Sequence, residues 1–228
     1  MSATAPMTDV PVGILLAMTV ATGIVDAVSY LALGHVFTAN MTGNVVLLGF
    51  ALAGAPGLSI SRSAVALLAF LSGAVLGGRV AFDESSWHLR ADRAFILEAM
   101  LLGIAAITAI GIGSGAPVRQ TQIDAVIAST GIAMGLRNAI VRKLAVPDMT
   151  TTVLTLTITG LAADSRLAGG DNPRWQRRAA AILAMIVGAF AGARMVVYSI
   201  TLPLAVSCGI AATCALARRR SFSEGRES

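Results

Sequence analysis

From Ala27 to Ser61, from Ala99 to Val118 and from Met195 to Ala217 the chain contains no Asp, Glu, Lys or Arg. Crossing a hydrocarbon core of about 30 Å takes roughly 20 apolar residues, so each of these runs is long enough. Four shorter runs, Val10 to Val25, Ser63 to Gly78, Ala125 to Leu136 and Ala179 to Ala193, reach that length when an arginine at the edge snorkels to the interface. Only 13% of the 228 residues are charged, against about 25% in an average globular domain. The chain lacks the polar surface to cover itself in water, and we read it as a single all-α polytopic membrane domain, 1–228, with six clear spans.

The formal charge of +5 does not point to nucleic acid. Its arginines sit between and after the apolar runs, Arg166, Arg174, Arg177 and Arg178 and then Arg218, Arg219 and Arg220 in a basic tail, 218–228. The positive-inside rule assigns such clusters to the cytoplasm. No basic segment precedes the first apolar run, so the first helix is expected to be retained and both termini to be cytoplasmic. Cys208 and Cys214 lie six apart on one helix and face different ways, which argues against a disulfide or a metal pair.

The sequence repeats itself. Gly23-Ile-Val-Asp26-Ala-Val is matched by Gly135-Leu-Arg-Asn138-Ala-Ile, Met41-Thr42 by Met149-Thr150, and "ALLAFLSGAVLGGRVAF" from Ala66 by "AILAMIVGAFAGARMVV" from Ala181. Three matches in one order, at a spacing of about 110 residues, predict a duplicated unit, repeat one 11–113 and repeat two 121–217. The Gly-x-x-x-Gly stretches, Gly73 to Gly77 and Gly188 to Gly192, suit close helix contact in lipid.

Topology turns on two short segments. Thr42 to Gly54 makes about 20 Å of helix, too short to cross comfortably, and Thr150 to Ala163 is similar. Charge bias reverses between equivalent loops of the two repeats, which predicts inverted orientation and an odd number of crossings in each. We expect three transmembrane helices plus one short re-entrant half-helix per repeat. Eight spans in parallel repeats is the alternative.

Polar groups concentrate where these segments begin. An intramembrane charge is costly, so Asp26 and Arg137 need partners or a wet cavity, and adjacent repeat positions suggest that they meet each other. Thr42 and Thr150 open or precede short helices whose free N–H groups and positive dipole end attract anions. Thr38, Asn40, Asn44, Thr151 and Thr152 add donors and acceptors, and Tyr30 and Asn138 complete the candidate solute site. Capping alone would explain one such residue per helix. His35 reads as an interfacial residue, Asp148 as an ordinary carboxylate before a helix, Trp87 and Trp175 as interfacial anchors, and Glu98, near the start of a span, as outside the site.

These residues carry a resemblance. "DAVSYLALGHVFTANMTGNVVLLG" and "GLRNAIVRKLAVPDMTTTVLTLTITGLAAD" resemble the YoaK family of small bacterial membrane proteins of about six spans, over nearly the whole chain. The resemblance implies a bacterial inner-membrane protein and supplies no substrate. Its shared positions fall here on Asp26, Tyr30, Thr38, Asn40, Thr42, Gly43 and Asn44, and on Asn138, Arg142, Thr150, Thr151, Thr152, Thr155, Thr159, Gly160 and Asp164. Many members carry Gln at the position of Arg137, which would make an Asp26–Arg137 pair a feature of this chain.

The expectation is a transporter or permease for a small polar or anionic solute, with a passive channel or a non-transport scaffold or signalling protein as alternatives. The partners expected are lipid and that solute, with self-association allowed and no nucleic acid. No cofactor or metal is implied. Neither H-E-x-x-H nor G-x-S-x-G occurs, and His35 and His88 are the only histidines, so enzymatic activity is not expected.

Overall fold

The computed structural model describes residues 10–80, 87–112, 119–144, 154–172 and 174–224. Among them the chain is all-helical: α1 (Val12–Ala32), α2 (Met41–Leu52), α3 (Ile60–Val80), α4 (Trp87–Thr108), α5 (Gln120–Leu144), α6 (Thr155–Ala163), α7 (Trp175–Val196) and α8 (Thr201–Glu224), with a short 3-10 turn at Arg166–Ala168. Four of these, α1, α3, α7 and the Thr201–Arg219 part of α8, are long and apolar enough to cross a membrane. The α4 and α5 helices have 22 and 25 residues, about 33 and 38 Å at 1.5 Å per residue. They carry more charges along their length, including Asp92, Arg93 and Glu98 in α4 and Asp124, Arg137, Arg142 and Lys143 in α5.

Local chemistry sets the ends of these helices. Gly34 (φ 98°) takes the left-handed conformation just past α1, and the N–H of His35 returns to the Tyr30 carbonyl at 3.2 Å. Gly54 (φ 82°) does the same past α2, with the Ala55 N–H on the Phe50 carbonyl at 3.0 Å. Both are helix stops of the kind glycine makes cheaply. Inside the helices hydroxyls bond back to the preceding turn, Thr19 to the Leu15 carbonyl at 2.9 Å and Thr130 to the Val126 carbonyl at 2.7 Å, so they bring no unpaired donor to an apolar interior.

Three apolar clusters stack along the six long helices. One joins Leu15 and Met18 of α1, Phe95 of α4, Ile140 of α5, Ala181 of α7 and Ala215 of α8. The middle one joins Val25, Leu102, Met134 and Ala211. The third joins Val28 of α1, Ala66 of α3, Ala105 of α4, Val126 of α5 and Leu204 of α8. Following each helix through these clusters gives its direction. The α1 and α4 helices run from the first cluster to the third, and α5 and α8 run the other way. The α3 helix starts in the third cluster and ends with Val80 against the first; α7 starts in the first and ends with Val196 against the third.

The chief packing partners are α1 with α7, α3 with α5 and α4 with α8; α1 also packs on α8 and α5 on α4, while α2 lies on α3 and α6 on α7. Missing side chains permit two of these contacts. A Cβ on Gly73 would strike the Ile132 carbonyl, and one on Gly135 the Phe70 carbonyl, where α3 crosses α5. Where α7 crosses α1, a Cβ on Gly188 would strike the Val20 carbonyl, and one on Gly23 would lie 2.6 Å from the Met185 oxygen. The Gly-x-x-x-Gly stretches are thus backbone-to-backbone contacts, as small residues allow between apolar helices.

Candidate functional site

Arg137 projects from α5 into the interior, only 1% exposed. Its Nε donates to Oε1 of Glu98 on α4 at 2.7 Å, and its second terminal nitrogen bonds the same oxygen to close an ion pair. The other terminal nitrogen reaches α1, donating to the Met18 carbonyl at 2.8 Å and to Thr22 Oγ1 at 2.7 Å. One guanidinium, whose planar fork suits several acceptors at once, therefore ties α4, α5 and α1 together. Glu98 is fully buried, and its second oxygen, Oε2, has no hydrogen-bond partner among the described residues.

Asp26 is used differently. Its Oδ1 accepts the Ala39 N–H at 3.1 Å, and the N–H groups of Thr38 and Asn40 lie beside the same carboxylate. Three successive N–H groups around a carboxylate form an anion-binding nest, and here the chain's own α1 fills it. The Arg137 charge acts on this carboxylate through space, but the bonded partner of Arg137 is Glu98, where sequence reasoning had Asp26.

The remaining candidates surround this loop. Tyr30 stacks on Phe37 with ring centroids 5.0 Å apart and meets the edge of His35 at 5.3 Å. Asn40 caps α2, accepting the Gly43 N–H at 3.3 Å. Asn44, 1% exposed, accepts the Phe37 N–H at 3.4 Å and donates to the Ser63 carbonyl at 3.2 Å, pinning the loop to α3. Thr42 is exposed. Thr38 is fully buried and its hydroxyl has no partner among the described residues. Asn138 donates to the Met134 carbonyl at 3.1 Å. Thr150, Thr151 and Thr152 lie outside the described residues.

Sequence reasoning missed Glu98 and two further anchors. Arg178 on α7 donates to the Gly160 carbonyl at 2.5 Å and to Asn172 at 3.2 Å, and pairs with Asp164 at 2.7 Å, holding the end of α6. Arg62, at the start of α3, packs on Gly34 and donates to Gln120 at 2.7 Å. Among the described residues no group of three or more His, Cys, Asp or Glu could hold a metal ion.

The role of Asp26 is measurable. Asp26→Ala leaves the buried Ala39 N–H without its acceptor, and an unmade buried hydrogen bond costs about 1 to 3 kcal/mol. Thermal unfolding in detergent should fall accordingly, while Thr42→Ala, at an exposed position, should leave it unchanged.

Residues 14–217 match the family model whose description is protein of unknown function, DUF1275. The chain belongs to the DUF1275 family. It is also similar to the UPF0700 transmembrane protein YoaK of Bacillus subtilis (strain 168), 33% identical over 144 residues, which are 62% of this chain and 61% of that relative. The match thus spans about three-fifths of the relative's length. No solved structure matches. With its apolar helices and a transmembrane relative, this DUF1275 chain is a membrane protein.

Proposed function

We propose that the protein is a secondary transporter for a small polar or anionic solute, built from two inverted repeats whose helices interleave into two units. One unit is α1, α6, α7 and α8; the other is α5, α2, α3 and α4. Each packing contact in one has a counterpart in the other: α1 on α7 and α8 corresponds to α5 on α3 and α4, and α6 on α7 to α2 on α3. The glycine contacts correspond residue by residue, Gly73 on Ile132 with Gly188 on Val20, and Gly77 on Leu136 with Gly192 on Ile24. Since α1 ends and α3 begins at one end of the bundle, α2 dips in and returns on one side; α6 does the same at the opposite end. This is the six-plus-two arrangement of inverted-repeat transporters, with the solute held near the midplane.

The observation that carries the reading is the buried Arg137–Glu98 pair, which bonds to α1 across the seam between the two units. Ionisable groups at membrane depth mark solute and ion pathways by default. Rocking of one unit against the other would break and remake the bonds to Met18 and Thr22, opening a route past Thr38 and Asp26. Arg79, Arg93, Arg142, Arg177 and Arg218 flank the end of the bundle where α1 begins and α8 ends, and Arg62, Arg119 and Arg194 the other. That bias supports cytoplasmic termini in a bacterial inner membrane.

A scaffold without transport is the second reading, favoured by the work that Asn40, Asn44 and Asp26 do within the fold. Purified protein in liposomes would be assayed for counterflow of labelled small anions and polar metabolites, with cysteines at Asn40, Thr42, Thr150 and Thr152 probed by a membrane-impermeant thiol reagent. Transport predicts exchange against a gradient and labelling that changes with solute. No exchange across the panel, with labelling indifferent to every solute, would favour the scaffold.

A further inference from the structure

The Arg137–Glu98 pair is lopsided. Both guanidinium nitrogens that face Glu98 converge on Oε1, leaving Oε2 buried with no donor. A fork that could grip both oxygens, as arginine does in bidentate pairs, grips one. The guanidinium's other side is committed to the Met18 carbonyl and Thr22 of α1. A buried carboxylate oxygen without a donor is costly, and a proton removes that cost by neutralising the charge.

We propose that Glu98 is a proton-binding site, where uptake of a proton on Oε2 releases the hold of the carboxylate on Arg137 and so on the seam between α5 and α1. One O–H bond forms at Oε2 with a proton delivered from water at one membrane face, and the same bond breaks when the carboxylate ionises again. No other covalent bond changes. As the coupling step of a transporter this rests on the reading above and gives that reading a coupling ion.

The surroundings select a proton over a metal cation. A hard cation requires several oxygen ligands, and no group of three or more His, Cys, Asp or Glu lies among the described residues, whereas a proton needs a single lone pair. The charged and titratable groups around Glu98 are few. Arg137 faces it from α5. Cys214 is near on α8, its sulfur turned to the Ile14 carbonyl at 3.9 Å. Asp26 on α1 is held by the 38–40 loop. On α4 itself Asp92 is taken by Arg218 at 3.5 Å, and α3 carries its charges, Arg62 and Arg79, at its two ends. Among the described residues Asp92 Oδ1 also lacks a hydrogen-bond donor, but it faces the Arg218 guanidinium near the end of the bundle, whereas Glu98 Oε2 lies midway along α4.

The test is pH-difference infrared spectroscopy on the purified protein in lipid. A buried protonated carboxyl should give a C=O stretch that grows as pH falls and shifts in deuterated water. That band should be lost in Glu98→Gln, lost also in the neutral pair Glu98→Gln/Arg137→Gln, which keeps packing volume should the single variant fold poorly, and retained in Asp26→Asn. A band that survives both Glu98 variants, or that disappears with Asp26→Asn, would overturn the assignment. The measurement needs neither solute nor gradient. An intact Glu98 band with no counterflow would count against transport alone, and counterflow without the band against the proton site alone.

Discussion

Arg137→Met or Glu98→Leu, made singly, should destabilise the protein by about 3 to 5 kcal/mol, because each strands a buried charge, whereas the double substitution should recover most of that loss. Recovery is expected because nothing on α1 is orphaned when the guanidinium goes: the Thr22 hydroxyl already donates to the Met18 carbonyl at 3.0 Å. Reversible unfolding in mixed detergent micelles would measure all three variants. The contrast between singles and double is the decisive quantity, since a general loss of packing would add, and a broken pair does not. Single variants within about 1 kcal/mol of the parent would mean that the pair does not close in the folded protein.

The second large effect falls on four glycines in two groups. Gly73→Ala and Gly188→Ala each push a methyl into a carbonyl of the facing helix, and overpacking of this kind costs about 1 to 3 kcal/mol. The two should cost nearly the same, because their contacts correspond. Gly49→Ala and Gly78→Ala meet open space; inside a helix the exchange stabilises by roughly 0.5 to 1 kcal/mol. Melting followed by loss of monodisperse protein would separate the groups by sign. Unequal effects at Gly73 and Gly188 would tell against the proposed equivalence of the two crossings.

Much of this architecture was legible in the sequence because it rests on spacing. The Gly-x-x-x-Gly stretches, and the pairing of Gly73 with Gly188, mark the helix crossings without reference to any partner. Segment length set the bounds of α2, expected over Thr42 to Gly54 and found at Met41–Leu52. The Arg137 partner was not legible, for a definite reason. Counting from the uncharged run that begins at Ala99 puts Glu98 at a span's edge, within reach of water. The α4 helix in fact starts at Trp87, a turn-rich and charged stretch by composition, so Glu98 lies midway along it. Asp26 was legible as a costly residue but not as an anchor, since its bonded partner is the backbone N–H of Ala39, thirteen residues away, which no side-chain pattern reveals. Asn40, placed by its sequence position among the candidate solute-site groups, caps α2.

The partnerships of the long helices bear on how the chain is made. In the first half α1 rests chiefly on α7, α3 on α5 and α4 on α8, and every one of those partners is synthesised later. Within the first half itself α3 touches α4 only slightly. When α4 has been made, α1, α3 and α4 therefore each still lack the helix that becomes their chief packing partner. Insertion and assembly are separable stages in membrane proteins, and here they are forced apart in time. Glu98 is translated 39 residues ahead of Arg137, so the pair that ties α4 and α5 to α1 closes only once α5 has been made.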